Sequence, residues 1–226
     1  MDTELAKHWN ESSKRIPPDK DKSPYAVGKE TLFPRNANVC DLGGGMGADA
    51  LYFLTKGHRV ILLDISDYAL VTAQKAVERS VLSDRLQTQQ VDLSQGKIPQ
   101  PDGNFDVVFS RLALHYFRRE TLVSLYREVY RILKPGGVAF VSIKSVNDEK
   151  EMIFLRRTSR EVEPGIFEED GILKVRFSQE QLKDLLIEAG ITDFDISEYK
   201  ERFEGRKDIV KSGNEELLLA DITIRK

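Results

Sequence analysis

Three aspartates and a run of glycines stand at the ends of expected strands. Asp41 lies two residues ahead of Gly43, in the run Gly43-Gly44-Gly45-Met46-Gly47; Asp64 ends Val60-Ile61-Leu62-Leu63-Asp64; Asp92 follows Leu86 to Val91. Without Cβ atoms the glycine turn bends sharply and lets a ligand approach the backbone. The helix expected next offers free N–H groups suited to an anionic group such as a carboxylate or phosphate. A carboxylate at the end of the second strand can accept from two ribose hydroxyls, and one at the end of the third from an exocyclic amine. Asp41, just ahead of the loop, would repel a pyrophosphate and suits a cationic ligand group. Gly43-x-Gly45-x-x-Ala48 also satisfies the dinucleotide fingerprint, so an NAD(P)-dependent oxidoreductase stays open. That alternative uses Gly43, Gly45 and Ala48 but leaves Asp41 and Asp92 without a role. Gly44, in the loop's second position, is expected to add flexibility and little else.

A second group of residues follows the fourth apolar run: Ser110-Arg111-Leu112-Ala113-Leu114-His115-Tyr116-Phe117. His115, with an ordinary pKa near ~6.5, is either a base or hydrogen-bond partner for a substrate, or a structural histidine bonded to a backbone carbonyl. Arg111 either binds an acidic substrate or stands solvated at the surface. Tyr116 and Phe117 wall a pocket or pack beneath the next helix. Trp9 and Tyr25 are large rings in an otherwise polar N-terminal segment, and they are expected to contact substrate. Three His and one Cys are scattered apart, so no metal site is expected; Cys40 reads as core.

The elements that must position these residues alternate. Strands are expected at Val39–Leu42, Val60–Asp64, Leu86–Val91, Phe105–Phe109 and Val138–Ile143. Helices are expected from Ala48 to Lys56, from Ser66 to about Ser80, and from Arg119 to Leu133, the last with Leu122, Leu125, Tyr126, Val129, Ile132 and Leu133 along one stripe. Such alternation predicts a parallel sheet with helices on both faces, whose ligands sit at the carboxyl ends of the strands. Residues 1–37 read as an arm or lid, with an unpatterned Asp19–Lys22 stretch, and residues 38–226 as the main domain. An Arg- and Glu-rich insertion at about 145–177 contains the hairpin signal Asp170-Gly171 and an apolar patch, Met152–Leu155, that fits a lid helix, a dimer contact or core. Ser178-x-x-Gln181 spells a capping box, and Phe194–Tyr199 and Leu217–Ile224 are expected as two final antiparallel strands.

The chain has 226 residues, 40% hydrophobic and 31% charged, with 34 Lys+Arg against 37 Asp+Glu and a formal net charge of -3. This composition excludes disordered, collagen-like and coiled-coil classes. It also lacks the basic excess of a protein that lives on nucleic acid. No apolar leader or membrane-spanning stretch is apparent, and one cysteine fits a reducing compartment, so a cytoplasmic location is expected.

Asp41-Leu42-Gly43-Gly44-Gly45-Met46-Gly47, Asp64, Val91-Asp92-Leu93, Phe105-Asp106-Val107-Val108-Phe109 and Leu133-Lys134-Pro135-Gly136-Gly137 together resemble the ordered motifs of class I S-adenosylmethionine-dependent methyltransferases. The resemblance spans roughly Val39 to Ile143. It implies a Rossmann-like α/β fold, a seven-stranded mostly parallel sheet of order 3-2-1-4-5-7-6 with strand 7 antiparallel. It implies S-adenosyl-L-methionine as cofactor and S-adenosyl-L-homocysteine as product. The glycine loop (Gly43, Gly44, Gly45, Gly47) and Asp41 would face the methionine part, Asp64 with Ile65 the ribose, Asp92 with Leu93 the adenine, and Ser110 the same site from the fourth strand. The expected activity is methyl transfer to a small-molecule acceptor by in-line displacement, in a monomer or homodimer. Methylation of protein or RNA is the alternative. Specificity is expected from the arm and the 145–177 insertion.

Overall fold

The computed structural model describes residues 3–16, 21–203, 209–210, 212–213 and 215–226. Its main sheet has seven strands: β1 (Asn38–Leu42), β2 (Arg59–Asp64), β3 (Leu86–Gln90), β4 (Phe105–Arg111), β5 (Leu133–Lys144), β9 (Phe194–Arg202) and β10 (Glu216–Arg225). They lie in the order β3-β2-β1-β4-β5-β10-β9. Strands β1 to β5 pair in parallel, while β10 runs antiparallel to both β5 and β9. This is the Rossmann-like arrangement that the motif order implied, with the last strand inserted between β5 and β9.

Alternation along the strands feeds two cores. Cys40, Leu42, Val108, Ala139 and Val141 face one side, where α5 (Arg119–Ile132) and α7 (Gln179–Glu188) bury their apolar stripes. Val39, Val107, Phe109 and Phe140 face the other, beneath α2 (Pro24–Glu30), α3 (Ala48–Thr55) and α4 (Asp67–Val77). The Ser178–Gln181 capping box is present in both directions and opens α7.

Two of the sequence motifs are joined directly. Lys134 donates to Asp106 Oδ1 at 2.8 Å, and the amide of Asn38 donates to Asp106 Oδ2 at 2.8 Å. Asp106 thus ties together the starts of β1, β4 and β5, at the end of the sheet away from the glycine loop. Strand β5 begins at Leu133, straight out of α5, five residues earlier than the apolar pattern implies. Its register with β4 slips between Phe105 and Val107, and the Lys134–Gly137 turn bulges out there.

Residues 145–177 contain α6 (Glu149–Thr158) and a separate antiparallel sheet of β6 (Arg160–Glu163), β7 (Ile166–Glu169) and β8 (Ile172–Val175). Asp170 and Gly171 turn between β7 and β8 with φ of 52° and 76°, the two-residue hairpin that Asp-Gly favours. Met152 and Leu155 pack with Phe167, so much of the Met152–Leu155 patch is core of this unit. In the arm, α1 (Glu4–Lys14) lies against α4, and α2 follows. Asp19 and Lys20 of the unpatterned stretch lie outside the described residues. No helix among the described residues is long and apolar enough to cross a membrane.

Candidate active site

At the carboxyl end of the sheet lies a cavity of about 1140 Å³. Its walls come from α1, the glycine loop, the turn after β4 (Leu114–Tyr116), α6 and the β7–β8 hairpin. Of the residues singled out in the sequence, it brings together Trp9, Asp41, Gly43, Gly44, Gly45, Arg111, His115 and Tyr116. Gly47, Asp64, Ile65, Asp92, Leu93, Ser110 and Tyr25 are not among its lining residues.

Asp41 is the most constrained of the acids. It is buried, and its Oδ2 has no hydrogen-bond partner. Burial, reinforced by the charges of Asp49 and Asp64, holds its pKa well above the usual carboxylate range. Gly44 makes this placement possible: a Cβ there would stand 2.3 Å from Asp41 Oδ2 and 2.4 Å from Leu62 Cδ1. The missing side chain is therefore a steric requirement, not the dispensable flexibility expected from the sequence. Gly43 is squeezed as well, since a Cβ would meet that of Ala113 at 2.4 Å and its φ is +66°. A buried carboxylate with an unused oxygen, beside a backbone trimmed of side chains, fits the amino group of the methionine portion of S-adenosylmethionine. It is hostile to a pyrophosphate.

Asp64 is half-buried and supports the loop. Its Oδ2 accepts from Gly45 N–H at 2.8 Å and its Oδ1 from Ser66 N–H at 2.8 Å. Burial raises its pKa, opposed by these backbone donors. Ser66 caps α4 by accepting from Ala69 N–H, and its hydroxyl donates to Asn10 Oδ1 at 2.6 Å. Asn10 Nδ2 in turn donates to Asp67 Oδ1 at 2.6 Å. The arm is thus fastened beside Asp64. Asp92 Oδ1 accepts from Ser94 N–H at 2.9 Å, and Leu93 is buried next to it. Gln90 donates to the Ile65 carbonyl at 2.9 Å, linking the β2 and β3 exits.

His115 is buried on the cavity wall, and its Nδ1 has no hydrogen-bond partner. Burial, together with the charges of Arg176 and Lys144, pushes its pKa well below the ordinary histidine value, so the ring is neutral. Its ring lies 4.3 Å from that of Tyr116, which meets Trp9 at 4.7 Å. Arg111 reaches the cavity already paired with Glu201 and stacked over Phe203, its guanidinium carbon 5.2 Å from the ring centroid. Ser110 donates to the Leu42 carbonyl at 2.9 Å, a bond between the ends of β4 and β1. Tyr25 is core: it stacks on Tyr199 with centroids 5.1 Å apart and donates to Asp221 at 2.8 Å. A ring in the arm proves to hold α2 onto the sheet.

Sequence reasoning missed Lys144, Glu151 and Arg176, which meet in the same cavity. Glu151 Oε1 accepts from Lys144 Nζ at 2.5 Å and from Arg176 at 3.3 Å. Two signals were available. Lys144 closes the β5 apolar run at the carboxyl edge, and Arg176 interrupts Val175-Arg176-Phe177, where a charge has no solvent to reach.

Residues 39–137 match a family model described as a methyltransferase domain. Over 140 residues the chain is 32% identical to a sterol 24-C-methyltransferase of Gibberella zeae, covering 61% of this chain and 35% of that protein. Over 112 residues it is 35% identical to a malonyl-[acyl-carrier protein] O-methyltransferase of Enterobacter lignolyticus, covering 48% and 40%. The matched segments span between 26% and 40% of the first curated relatives' own length. A crystal structure of an S-adenosylmethionine-dependent methyltransferase from Methanosarcina mazei superposes with a TM-score of 0.69 at 20% identity, covering 92% of this chain and 99% of that one. Residues 39–137 are thus similar to a methyltransferase domain, and the seven-stranded sheet shares its fold with a crystallised S-adenosylmethionine-dependent methyltransferase.

Proposed function

We propose that the protein transfers the methyl group of S-adenosylmethionine to a small-molecule acceptor held between the glycine loop and the arm. The observation that carries this reading is the cavity itself. It runs from Asp41 and the glycine loop to His115, Tyr116 and Trp9, and α1 and the insertion contribute to its walls. When bound, S-adenosylmethionine supplies a methyl group on a sulfonium, with a neutral thioether as leaving group. The protein's work is then to position the acceptor and exclude water.

Asp41 would hold the cationic amino group, and Gly43–Gly45 would present backbone to the same end of the ligand. Asp64 would accept from the ribose and Asp92, with Leu93, would bound the adenine. His115, neutral and partly unpartnered, would orient the acceptor or take its proton if the nucleophile carries one. The relatives' names give acceptors as different as a sterol and a malonyl group on a carrier protein, so the acceptor is argued from the cavity alone.

Calorimetry with S-adenosylhomocysteine tests the cofactor half. Asp64→Ala is expected to weaken binding by roughly 1–3 kcal/mol through lost hydrogen bonds to a charged group. Unchanged binding would remove Asp64 from the site. A screen with methyl-labelled cofactor over metabolite, protein and RNA fractions tests the acceptor. Label entering only macromolecules would overturn the small-molecule reading.

A further inference from the structure

One part of the cavity is built from buried charged groups with unused hydrogen-bonding capacity. Arg176 is 2% exposed and Lys144 8% exposed, yet both line the cavity. They share one carboxylate oxygen, Glu151 Oε1, while Glu151 Oε2 has no partner. Arg176 spends one further N–H on the Val175 carbonyl at 2.8 Å, and its Nε has no partner. Lys144 gives a second N–H to the Ile209 carbonyl at 2.7 Å, and an ammonium has three to give. The neighbouring charges are engaged with other groups as well. Lys174 is paired with Glu169. Asp148 has its two oxygens on the amides of Glu151 and Leu218, and its charge still acts on Arg176. Asp170 lies in the β7–β8 turn.

A buried guanidinium with an unused N–H is expensive unless something fills the vacancy. Arg176 does not reach this position by accident of folding. It follows the last residue of β8, its amide donates to the Gly165 carbonyl at 2.8 Å, and β8 lies against the Leu114–Tyr116 turn that carries His115. The neutral His115, with its own unpartnered Nδ1, belongs to the same buried cluster.

We propose that Arg176 and Lys144, with His115 beside them, form an oxyanion subsite, and that the acceptor is a small molecule bearing a carboxylate or phosphate group that docks there. The cavity then carries carboxylates, Asp41 and Asp49, for a cationic cofactor and buried cations for an anionic acceptor. Calling the bound anion the acceptor rests on the methyltransferase reading; the anion site itself does not.

The test is calorimetry of the whole chain, with and without saturating S-adenosylhomocysteine, titrated with inorganic phosphate and separately with succinate. Arg176→Gln is expected to weaken binding of the preferred anion at least tenfold, with Arg176→Lys intermediate. Glu151→Gln removes the internal carboxylate that competes for both cations, and it is expected to tighten binding severalfold. A merely structural salt bridge would not produce that gain. If Arg176→Gln fails to fold, the opposed effects of Arg176→Lys and Glu151→Gln decide the matter. Phosphate binding without succinate binding assigns a phosphate-bearing acceptor, and the reverse a carboxylate-bearing one. Absence of binding for both anions, or equal binding by all variants, overturns the subsite. Anion binding without S-adenosylhomocysteine binding supports the subsite and sinks the methyltransferase reading; S-adenosylhomocysteine binding without anion binding does the opposite.

Discussion

Trp9 on α1 meets Tyr116 edge to face, with ring centroids 4.7 Å apart and planes at 70°. One ring belongs to the arm and the other to the turn after β4, so this contact closes the cavity from above. Edge-to-face pairs contribute about 0.5–1.5 kcal/mol beyond the area they bury. A double-mutant cycle of Trp9→Leu and Tyr116→Leu, followed by urea unfolding, is expected to return a coupling in that range. Because Trp9 is the single tryptophan, Tyr116→Leu is also expected to shift its emission to the red as the ring loses its cover.

Gly44→Ala is expected to cost about 1–3 kcal/mol of stability, the usual penalty for forcing a carbon into filled space. The added Cβ meets the Asp41 carboxylate and Leu62. Relief requires Asp41 to swing away, so S-adenosylhomocysteine affinity is expected to fall with the denaturation midpoint. A Gly44→Ala protein with unchanged affinity would separate Asp41 from the ligand.

Asp41→Asn is expected to have opposite effects on the free protein and on binding. The folded state holds the Asp41 pKa above its ordinary value of ~3.9, so the native protein binds more protons there than the unfolded chain. Stability contributed by this group is therefore lost as pH rises from that ordinary value through the raised one. The amide carries no such loss, and the ligand-free variant is expected to be the more stable protein at pH 7. Its affinity for S-adenosylhomocysteine is expected to be lower, because the cationic amino group loses its counter-charge. Thermal melts between pH 4 and 8, with and without ligand, measure both.

Lys144 supplies a prediction in the alkaline range. Burial, helped by the cations Arg176 and Lys174 and opposed by Glu151, lowers its pKa to about 8. Between about 8 and the unfolded value of ~10.4 the unfolded chain holds the extra proton. Stability contributed by this group therefore rises with pH across that window. Anion binding at the same site is expected to weaken over the same rise, as the ammonium charge is lost. Lys144→Met should flatten both curves, and a variant that retains them would place the titration elsewhere.

The sheet was legible because β1, β2, β4 and the second half of β5 are apolar runs, and because β1 to β5 alternate with helices. The glycine loop and Asp41 were legible for a related reason: a carboxylate and a run of glycines at a strand exit have few other uses. Arg176 and Lys144 were hidden because their meaning depends on Glu151, 25 and 7 residues away in sequence. Only the insertion's fold brings the three together. Tyr25 misled for the converse reason. A large ring in a polar segment signals that it must be covered, but whether by ligand or by Tyr199 and Phe109 is a tertiary fact. Gly44 looked dispensable because the group that needs its empty space lies on the preceding strand.

Ser66 joins the exit of β2 to the arm. Its amide donates to Asp64, and its hydroxyl donates to Asn10 of the arm. Whatever engages the Asp64 carboxylate therefore acts on the same residue that fastens the cover. By thermodynamic reciprocity the two effects are equal in size. If seating α1 strengthens a ligand's hold on Asp64 by some factor, that ligand strengthens the seating of α1 by the same factor. A ligand held by Asp64 and the seating of α1 would thus be coupled through a single serine.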